Sequence, residues 1–374
     1  MAGGARLQWD LAGVYLSFPF CAQKCTFCNF DSGVFAPALE ERYLAALADE
    51  IARFTWTWKP ETVYLGGGSP NRIAEASLAR LLSLIPGRPW GEATIEATPG
   101  GITRERAEAW REAGVNRVSL GVQSFVRAEL ARTGRRHDAA RVASDMALLH
   151  AAGIANTNID LIAGLPGQTP MSWRESLDWV ERLEAPHVSV YMLEIDGDSR
   201  LGAEILRGGS RYGAADVPAE ETVVELYETA CERLERMGIR QYEISNFARP
   251  GFESAHNLKY WRLEPYAGFG AGAHSFDGDS RRENADSPTV YAELIERGES
   301  PVAAVSQAHP EEERLFLGLR LREGVRADAA GWGRFEEPIF RFAQAGLLEE
   351  AGGVLRLTRR GILLSNEVFQ EFIA

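Results

Sequence analysis

Along the first two-thirds of the chain, short apolar runs alternate with longer amphipathic ones. The run 14–18 is β-branched and aromatic, which predicts a strand. Residues 39–54 carry apolar positions at helical spacing with Glu and Arg between them, which predicts a helix. The same couple then recurs. Strands are predicted over 62–65, 94–97, 117–121, 157–162 and 187–192. Helices are predicted over 78–85, 104–113, 139–152, 171–184 and 219–237. Gly114, Gly153 and Gly238 stand just past three of these helices, where a left-handed C-terminal residue is wanted.

Six strand–helix units in succession imply parallel strands joined by crossover helices. A closed eight-fold barrel would need two more units, which the pattern does not supply. The expected fold is therefore α/β, a partial (β/α)6 barrel over residues 11–240. Ligands in such folds sit at the carboxyl ends of the strands, and the unusual residues gather there. Three cysteines follow the first strand and Gly66-Gly67-Gly68 follows the second. Glu96 ends the third, Gln123 follows the fourth and Asp160 lies in the fifth.

After residue 240 the apolar spacing becomes irregular. Residues 241–300 read as a Gly- and aromatic-rich extension, with a polar loop over 277–287. Residues 301–374 read as a small C-terminal domain. Helices are expected over 311–321 and 339–345, then a hairpin over 347–357 about Gly352-Gly353, and a last helix from 358. That order suggests a winged-helix-like module. Its acidic stretches at 311–313 and 349–350 argue against DNA binding. Residues 1–10 read as a short disordered N-terminus rather than a signal peptide.

Composition narrows the classes. The 374 residues are 45% hydrophobic and 25% charged with a net charge of −13. A nucleic-acid surface needs clustered Lys and Arg, and the charge gives no electrostatic reason for stable attachment to an anionic leaflet. No apolar stretch reaches the ~18 residues of a spanning helix, so no stable membrane insertion is expected. Three of the four cysteines crowd into Cys21–Cys28, the opposite of a dispersed disulfide framework. A reducing cytoplasm is the expected location.

Thiolates are the usual ligands of iron–sulfur clusters. Cys21, Cys25 and Cys28 on one tight loop can hold three irons of a [4Fe–4S] cluster, leaving the fourth open to another ligand. A structural zinc site would ask for four closed ligands, usually as two pairs. No His or Cys near Cys28 completes one, and Cys231 lies on a predicted helix, where it reads as a small core residue.

The C-x3-C-x2-C spacing, with aromatic Phe27 before the last Cys, resembles the radical SAM superfamily. In that family an open iron takes the amino and carboxylate groups of S-adenosylmethionine (SAM). The resemblance implies that Cys21, Cys25 and Cys28 hold the cluster, that Tyr15 lies near the methionine of SAM and that Phe27 packs on adenine. Gly66-Gly67-Gly68-Ser69-Pro70 resembles the Gly-Gly-Gly-Thr-Pro loop that meets the SAM amino group, which singles out Gly67, Gly68 and Ser69. Glu96 matches the glutamate near the ribose. Gln123, Arg135 and Asp160 match residues that orient SAM or a second ligand.

Taken whole, the chain resembles the oxygen-independent coproporphyrinogen III oxidase family, which places it in porphyrin chemistry. That family has an enzyme branch and a heme chaperone branch. The oxidase branch continues its motif to a fourth cysteine, where this chain has Phe30, and carries a longer arm before the cluster than the twenty residues here. His256-Asn257-Leu258-Lys259-Tyr260-Trp261 resembles the H-N-x-x-Y-W signature of the chaperone branch. This implies heme binding, with His256 as a candidate iron ligand and Tyr260 and Trp261 packed on the macrocycle. It also implies delivery to recipient hemoproteins, respiratory ones among them, with cluster and SAM serving folding or regulation rather than turnover. The other readings are oxidative decarboxylation of coproporphyrinogen III and radical chemistry on an unrelated substrate.

Overall fold

The computed structural model describes residues 12–327 and 331–373; the reading of 1–10 lies outside the described residues. The expected strand–helix units are present, along with two further short helices over 127–132 and 200–206. In chain order they run β1 (Gly13–Phe18), α1 (Pro37–Arg53), β2 (Thr62–Gly67), α2 (Glu75–Ser83), β3 (Glu92–Ala97), α3 (Arg104–Glu112), β4 (Arg117–Gln123), α4 (Arg127–Arg132), α5 (Ala139–Ala151), β5 (Asn156–Ala163), α6 (Pro170–Arg182), β6 (His187–Met192), α7 (Arg200–Leu206) and α8 (Glu220–Arg236). Local chemistry sets several boundaries. Pro37 opens α1, where its missing N–H costs nothing. The side chain of Asp138 caps α5, and Thr169 with Ser172 forms a capping box on α6.

Strands β1 to β6 lie side by side in sequence order and are parallel throughout. Successive strand residues face opposite sides. One set is apolar and buried, including Val14, Leu16, Val63, Leu65, Ile95, Val118, Leu120, Ile159, Leu161, Val188 and Val190. The alternate set is polar: Tyr64, Glu96, Ser119, Asn158, Asp160 and Ser189 join one another by hydrogen bonds across the strands. The barrel thus has an apolar wall and a polar lumen.

The segment after α8 departs from the expected appendage. It comprises β7 (Arg240–Gln241), β8 (Asn246–Ala248), α9 (Ala255–Trp261), β9 (Tyr266–Phe269), β10 (His274–Phe276), β11 (Ser280–Asn284), α10 (Pro288–Glu296) and β12 (Val302–Gln307). β8 pairs antiparallel with β6, while β9 pairs parallel with β1. Both edges of the six-stranded core are therefore extended, into a 12-stranded mixed sheet. The stretch 277–287, expected as a loop, contains β11. Its charged side chains hid a strand that pairs antiparallel with both β10 and β12. β12 also carries the large sheet past residue 301, where the C-terminal domain was expected to begin.

That domain contains α11 (Pro310–Gly318), β13 (Val325–Arg326), α12 (Glu336–Gln344), β14 (Leu348–Ala351), β15 (Val354–Leu357), α13 (Arg359–Leu363) and α14 (Ser365–Gln370). The expected hairpin is β14–β15, joined by β13 into a three-stranded sheet.

Candidate functional site

The cysteine loop leaves the carboxyl end of β1. Its base is closed by hydrogen bonds from Cys21 N–H to Gly33 O at 2.7 Å and from Gly33 N–H to Pro19 O at 2.9 Å. Thr26 fixes the tip, donating its N–H to Thr133 O and accepting Leu201 N–H at 2.8 Å. The three thiols are half-buried. Burial pushes the Cys21 thiol up and hydrogen bonds with Ser32 and Ser69 oppose it; the neighbouring Cys28 and Cys25 add to the rise. Among the described residues, no three His, Cys, Asp or Glu side chains are gathered as ligands of a metal ion. A [4Fe–4S] cube distributes its thiolates over different irons, and three thiols on one anchored loop suit that donor set.

The glycine loop after β2 lies against the same segment. Gly68 N–H donates to Phe18 O at 2.8 Å and Ser69 N–H to Phe20 O at 3.0 Å. A Cβ on Gly68 would stand 2.8 Å from both of those oxygens, so only glycine lets the strands meet. Gly67 has φ +108°, and its N–H donates to Glu96 Oε2 at 3.2 Å. Ser69 is buried beside Cys21.

Glu96 projects into the lumen, where its Oε1 accepts the Tyr64 hydroxyl at 2.8 Å. Burial is the main force raising its carboxyl to about 7, and the charge of Asp160 adds to it. A Cβ on Gly66 would lie 3.1 Å from both Glu96 Oε1 and the Tyr15 ring, so Tyr15 borders the same space. Burial pushes the Tyr15 phenol up. Asp160 accepts Asn158 Nδ2 at 2.7 Å and Ser119 Oγ at 3.2 Å, and burial raises its carboxyl.

Gln123 sits at a bulge where the β4–β5 register shifts, with φ +71°. A left-handed non-glycine at a strand end is strained. Its buried Oε1 has no partner, nor does the buried Nε of Arg135. The Arg135 guanidinium donates to Gly121 O and lies 6.0 Å from the Phe27 ring centroid. An orphaned guanidinium nitrogen near an aromatic ring, with a second orphaned polar atom on Gln123, fits a polar ligand carrying a flat base. Phe27, Gly67, Gly68, Ser69, Glu96, Gln123 and Arg135 thus lie toward the carboxyl end of the barrel with the cysteine loop, while Tyr15 and Asp160 lie lower in the lumen.

His256 lies elsewhere. Its Nδ1 is 2.8 Å from Thr62 Oγ1, at the start of β2, and its Nε2 is 2.8 Å from the Tyr260 hydroxyl. The ring stacks on Tyr64 and is 1% exposed, and burial pushes it down to about 3. In this arrangement both ring nitrogens are engaged within the protein, and an iron bond from His256 would require one of these contacts to open. Helix α9 instead closes the floor of the barrel, opposite the cysteines. Glu92, at the start of β3, accepts Ser254 Oγ, Ala255 N–H and His256 N–H there, and buried Lys259 pairs with Glu61 and Glu264.

Sequence reasoning missed Tyr64, Ser119, Asn158 and Ser189, and it found no constellation for His187. The available signal was period-two polarity within otherwise apolar strands. His187 Nδ1 contacts Asn158 Oδ1 at 2.6 Å, and its Nε2 contacts the Tyr242 hydroxyl at 2.9 Å.

Fold and site together define a radical SAM protein. The family model described as Radical SAM superfamily matches residues 15–180, and that of the HemN C-terminal domain matches 305–364. The chain is 35% identical to heme chaperone HemW of Bacillus subtilis, over 97% of this chain and 99% of that one. It is 34% identical to heme chaperone HemW of Mycobacterium tuberculosis, over 100% and 97%. It is 31% identical to the mitochondrial radical S-adenosyl methionine domain-containing protein 1 of Bos taurus, over 95% and 84%. The solved coproporphyrinogen III oxidase of Escherichia coli superposes with a TM-score of 0.84 at 22% identity, covering 97% of this chain and 90% of that one, a likeness of fold. The chain belongs to the HemW family within the radical SAM superfamily, and that membership implies a [4Fe–4S] cluster and SAM. Among the described residues no helix is long and apolar enough to cross a membrane.

Proposed function

We propose that this chain is a heme chaperone that binds heme and passes it to hemoproteins, with a [4Fe–4S] cluster on Cys21, Cys25 and Cys28 and SAM beside it. The observation that carries the reading is the full-length likeness to heme chaperone HemW; a cavity of about 370 Å³ beside α9, lined by Tyr260, Trp261, Tyr266, Phe276 and Phe316 together with Glu264 and the Arg281–Glu313 pair, is the candidate place for the cargo. That volume lies in the range of small-ligand sites, which are typically aromatic with a few polar groups. The motif helix is thus two-sided. His256 and Lys259 lock the floor, while the Tyr260 ring and Trp261 face the cavity. Heme is held there by stacking, without an iron bond from His256. A carrier that must release its cargo is suited by such a site.

In this reading Glu96, Gln123, Arg135 and Asp160 orient SAM, Tyr15 and Phe27 border it, and Gly67, Gly68 and Ser69 let the backbone approach it. The cluster would supply one electron for cleavage of the SAM sulfonium bond if turnover occurs. Phe30, where the oxidase branch has its fourth cysteine, supports carriage over porphyrinogen oxidation.

The test is an anaerobic heme titration of the cluster-reconstituted protein, followed by absorbance, beside Trp261→Ala and His256→Ala. Saturable binding, weakened about tenfold or more by Trp261→Ala and with its Soret position unchanged in His256→Ala, is expected. Absence of saturable binding in the intact protein overturns the heme reading and turns attention to porphyrinogen turnover. A Soret shift in folded His256→Ala would make His256 the ligand and place heme against the floor's inner side.

A further inference from the structure

One unbroken column of polar side chains joins the ligand end of the barrel to its floor. Asp160 Oδ1 accepts Asn158 Nδ2 at 2.7 Å. Asn158 Oδ1 meets His187 Nδ1 at 2.6 Å, and His187 Nε2 meets the Tyr242 hydroxyl at 2.9 Å. That hydroxyl accepts the backbone N–H of Ser254 at 3.2 Å, and Ser254 is the residue that caps α9.

The bond directions follow from the atoms. A carbonyl oxygen only accepts, so neutral His187 carries its proton on Nδ1 and takes the Tyr242 hydroxyl on Nε2. Burial, aided by Arg117, holds the imidazole well below its ordinary range and so neutral. Every donor in the column therefore points toward Asp160.

A branch leaves at Asn158. Its Nδ2 is 3.0 Å from Ser189 Oγ, and Ser189 donates to Asn246 Oδ1 at 2.7 Å. Asn246 Nδ2 donates to Glu243 Oε1 at 2.6 Å. The other Glu243 oxygen lies 3.8 Å from Arg320, whose guanidinium sits 4.3 Å from the Trp261 ring centroid. The column reaches the first turn of α9, and the branch reaches its last residue.

Asn158 is oversubscribed as a donor. Its Nδ2 has two protons but three acceptors within reach: Asp160 Oδ1, Ser119 Oγ at 2.7 Å and Ser189 Oγ at 3.0 Å. A ligand that engaged Asp160 would weaken that carboxylate as an acceptor and leave an Asn158 proton free to favour Ser189. Buried networks of this kind respond as a unit.

We propose that Asn158, His187 and Tyr242 are positioning residues that couple the ligand end of the barrel to the motif helix. A nucleoside bound at Asp160 then changes the order of α9 and the affinity of the floor cavity, and a floor ligand changes nucleoside affinity by the same factor. The cavity half rests on the heme reading, and the helix half rests only on the placement of SAM at Asp160.

The test is hydrogen exchange of a peptide spanning residues 254–262 in the cluster-reconstituted protein, with and without saturating SAM, for wild type and Tyr242→Phe. SAM affinity is measured in parallel by calorimetry, with and without heme. In wild type, SAM is expected to slow exchange in α9 at least about threefold and to change heme affinity at least about fivefold. Tyr242→Phe, which removes one hydroxyl and keeps the ring, is expected to bind SAM yet lose both effects. The proposal is overturned if wild type does not bind SAM, if bound SAM leaves α9 exchange unchanged, or if Tyr242→Phe transmits as wild type does. Should that variant not fold, the wild-type exchange alone decides. Protection of α9 by SAM without any heme binding would sink the heme reading and leave the coupling standing.

Discussion

Glu92 Oε1 accepts the backbone N–H of His256 at 3.1 Å, tying the start of β3 to the first turn of the helix that floors the barrel. The same carboxylate takes Ala255 N–H at 2.9 Å and lies 3.9 Å from buried Arg117. A negative charge at a helix N-terminus is favourable, and here it also offsets a guanidinium taken out of water. Glu92→Ala removes both and deprives Arg117 of its ion-pair partner, with an expected loss of about 2–4 kcal/mol. Urea denaturation checks this, and an unchanged midpoint would show that α9 is held by packing alone.

Cys28→Ala removes one of three thiolates from an anchored loop. The barrel should stay folded by circular dichroism, because the loop base is closed by backbone bonds of Cys21 and Gly33. The iron–sulfur absorbance of the anaerobically reconstituted protein should be lost. An unaltered iron–sulfur spectrum would remove Cys28 from the ligand set.

Gly68→Ala tests the close approach of the glycine loop. Its Cβ would meet two backbone oxygens at 2.8 Å, so the loop must move away from the cysteine segment. SAM affinity should fall at least about tenfold in calorimetry, with a stability loss of about 1–3 kcal/mol from overpacking. Retained affinity would mean that the loop has room to shift.

Glu96 titrates near 7 because its site disfavours charge. Its folded value is raised, so its contribution to stability is fully present below the unfolded carboxylate range and is lost as pH rises through about 7. The stability difference between wild type and Glu96→Gln should therefore drift against wild type from about pH 5 to about pH 8. Ligand hydroxyls that donate to the carboxylate favour its ionised form. SAM affinity should accordingly rise up to about tenfold from about pH 6 to about pH 8, a dependence that Glu96→Gln abolishes. A flat profile in wild type would place the ribose elsewhere.

Much of the site was legible because its signals are local. The spacing of Cys21, Cys25 and Cys28 places three thiols on one turn of chain wherever that turn goes. Glu96 and Asp160 stand out as acids in apolar strands, and parallel strands carry them into one lumen. The partners that tune them were harder to read. Tyr64 reaches Glu96 only because β2 and β3 pair in parallel register. Asn158 looks like an ordinary polar residue until β4 and β6 flank it with Ser119 and Ser189. The surroundings of His256 were hidden for the same reason: its motif is contiguous, but the atoms that meet its ring, Thr62 Oγ1 and the Tyr260 hydroxyl, come partly from a distant strand.

Six strand–helix units, their parallel arrangement and the cysteine loop follow from signals local to the chain. Periodicity, caps and ligand spacing act over a few residues and survive any arrangement of the rest. Where residues after 240 go is settled only by long-range pairing: β8 onto β6, β9 onto β1, the charged strand β11 into the sheet, and α9 beneath the lumen. A hydrophobic pattern states which face of an element is buried but not against what. That choice rests on hydrogen bonds and contacts between positions far apart in the chain, Glu92 with His256 among them.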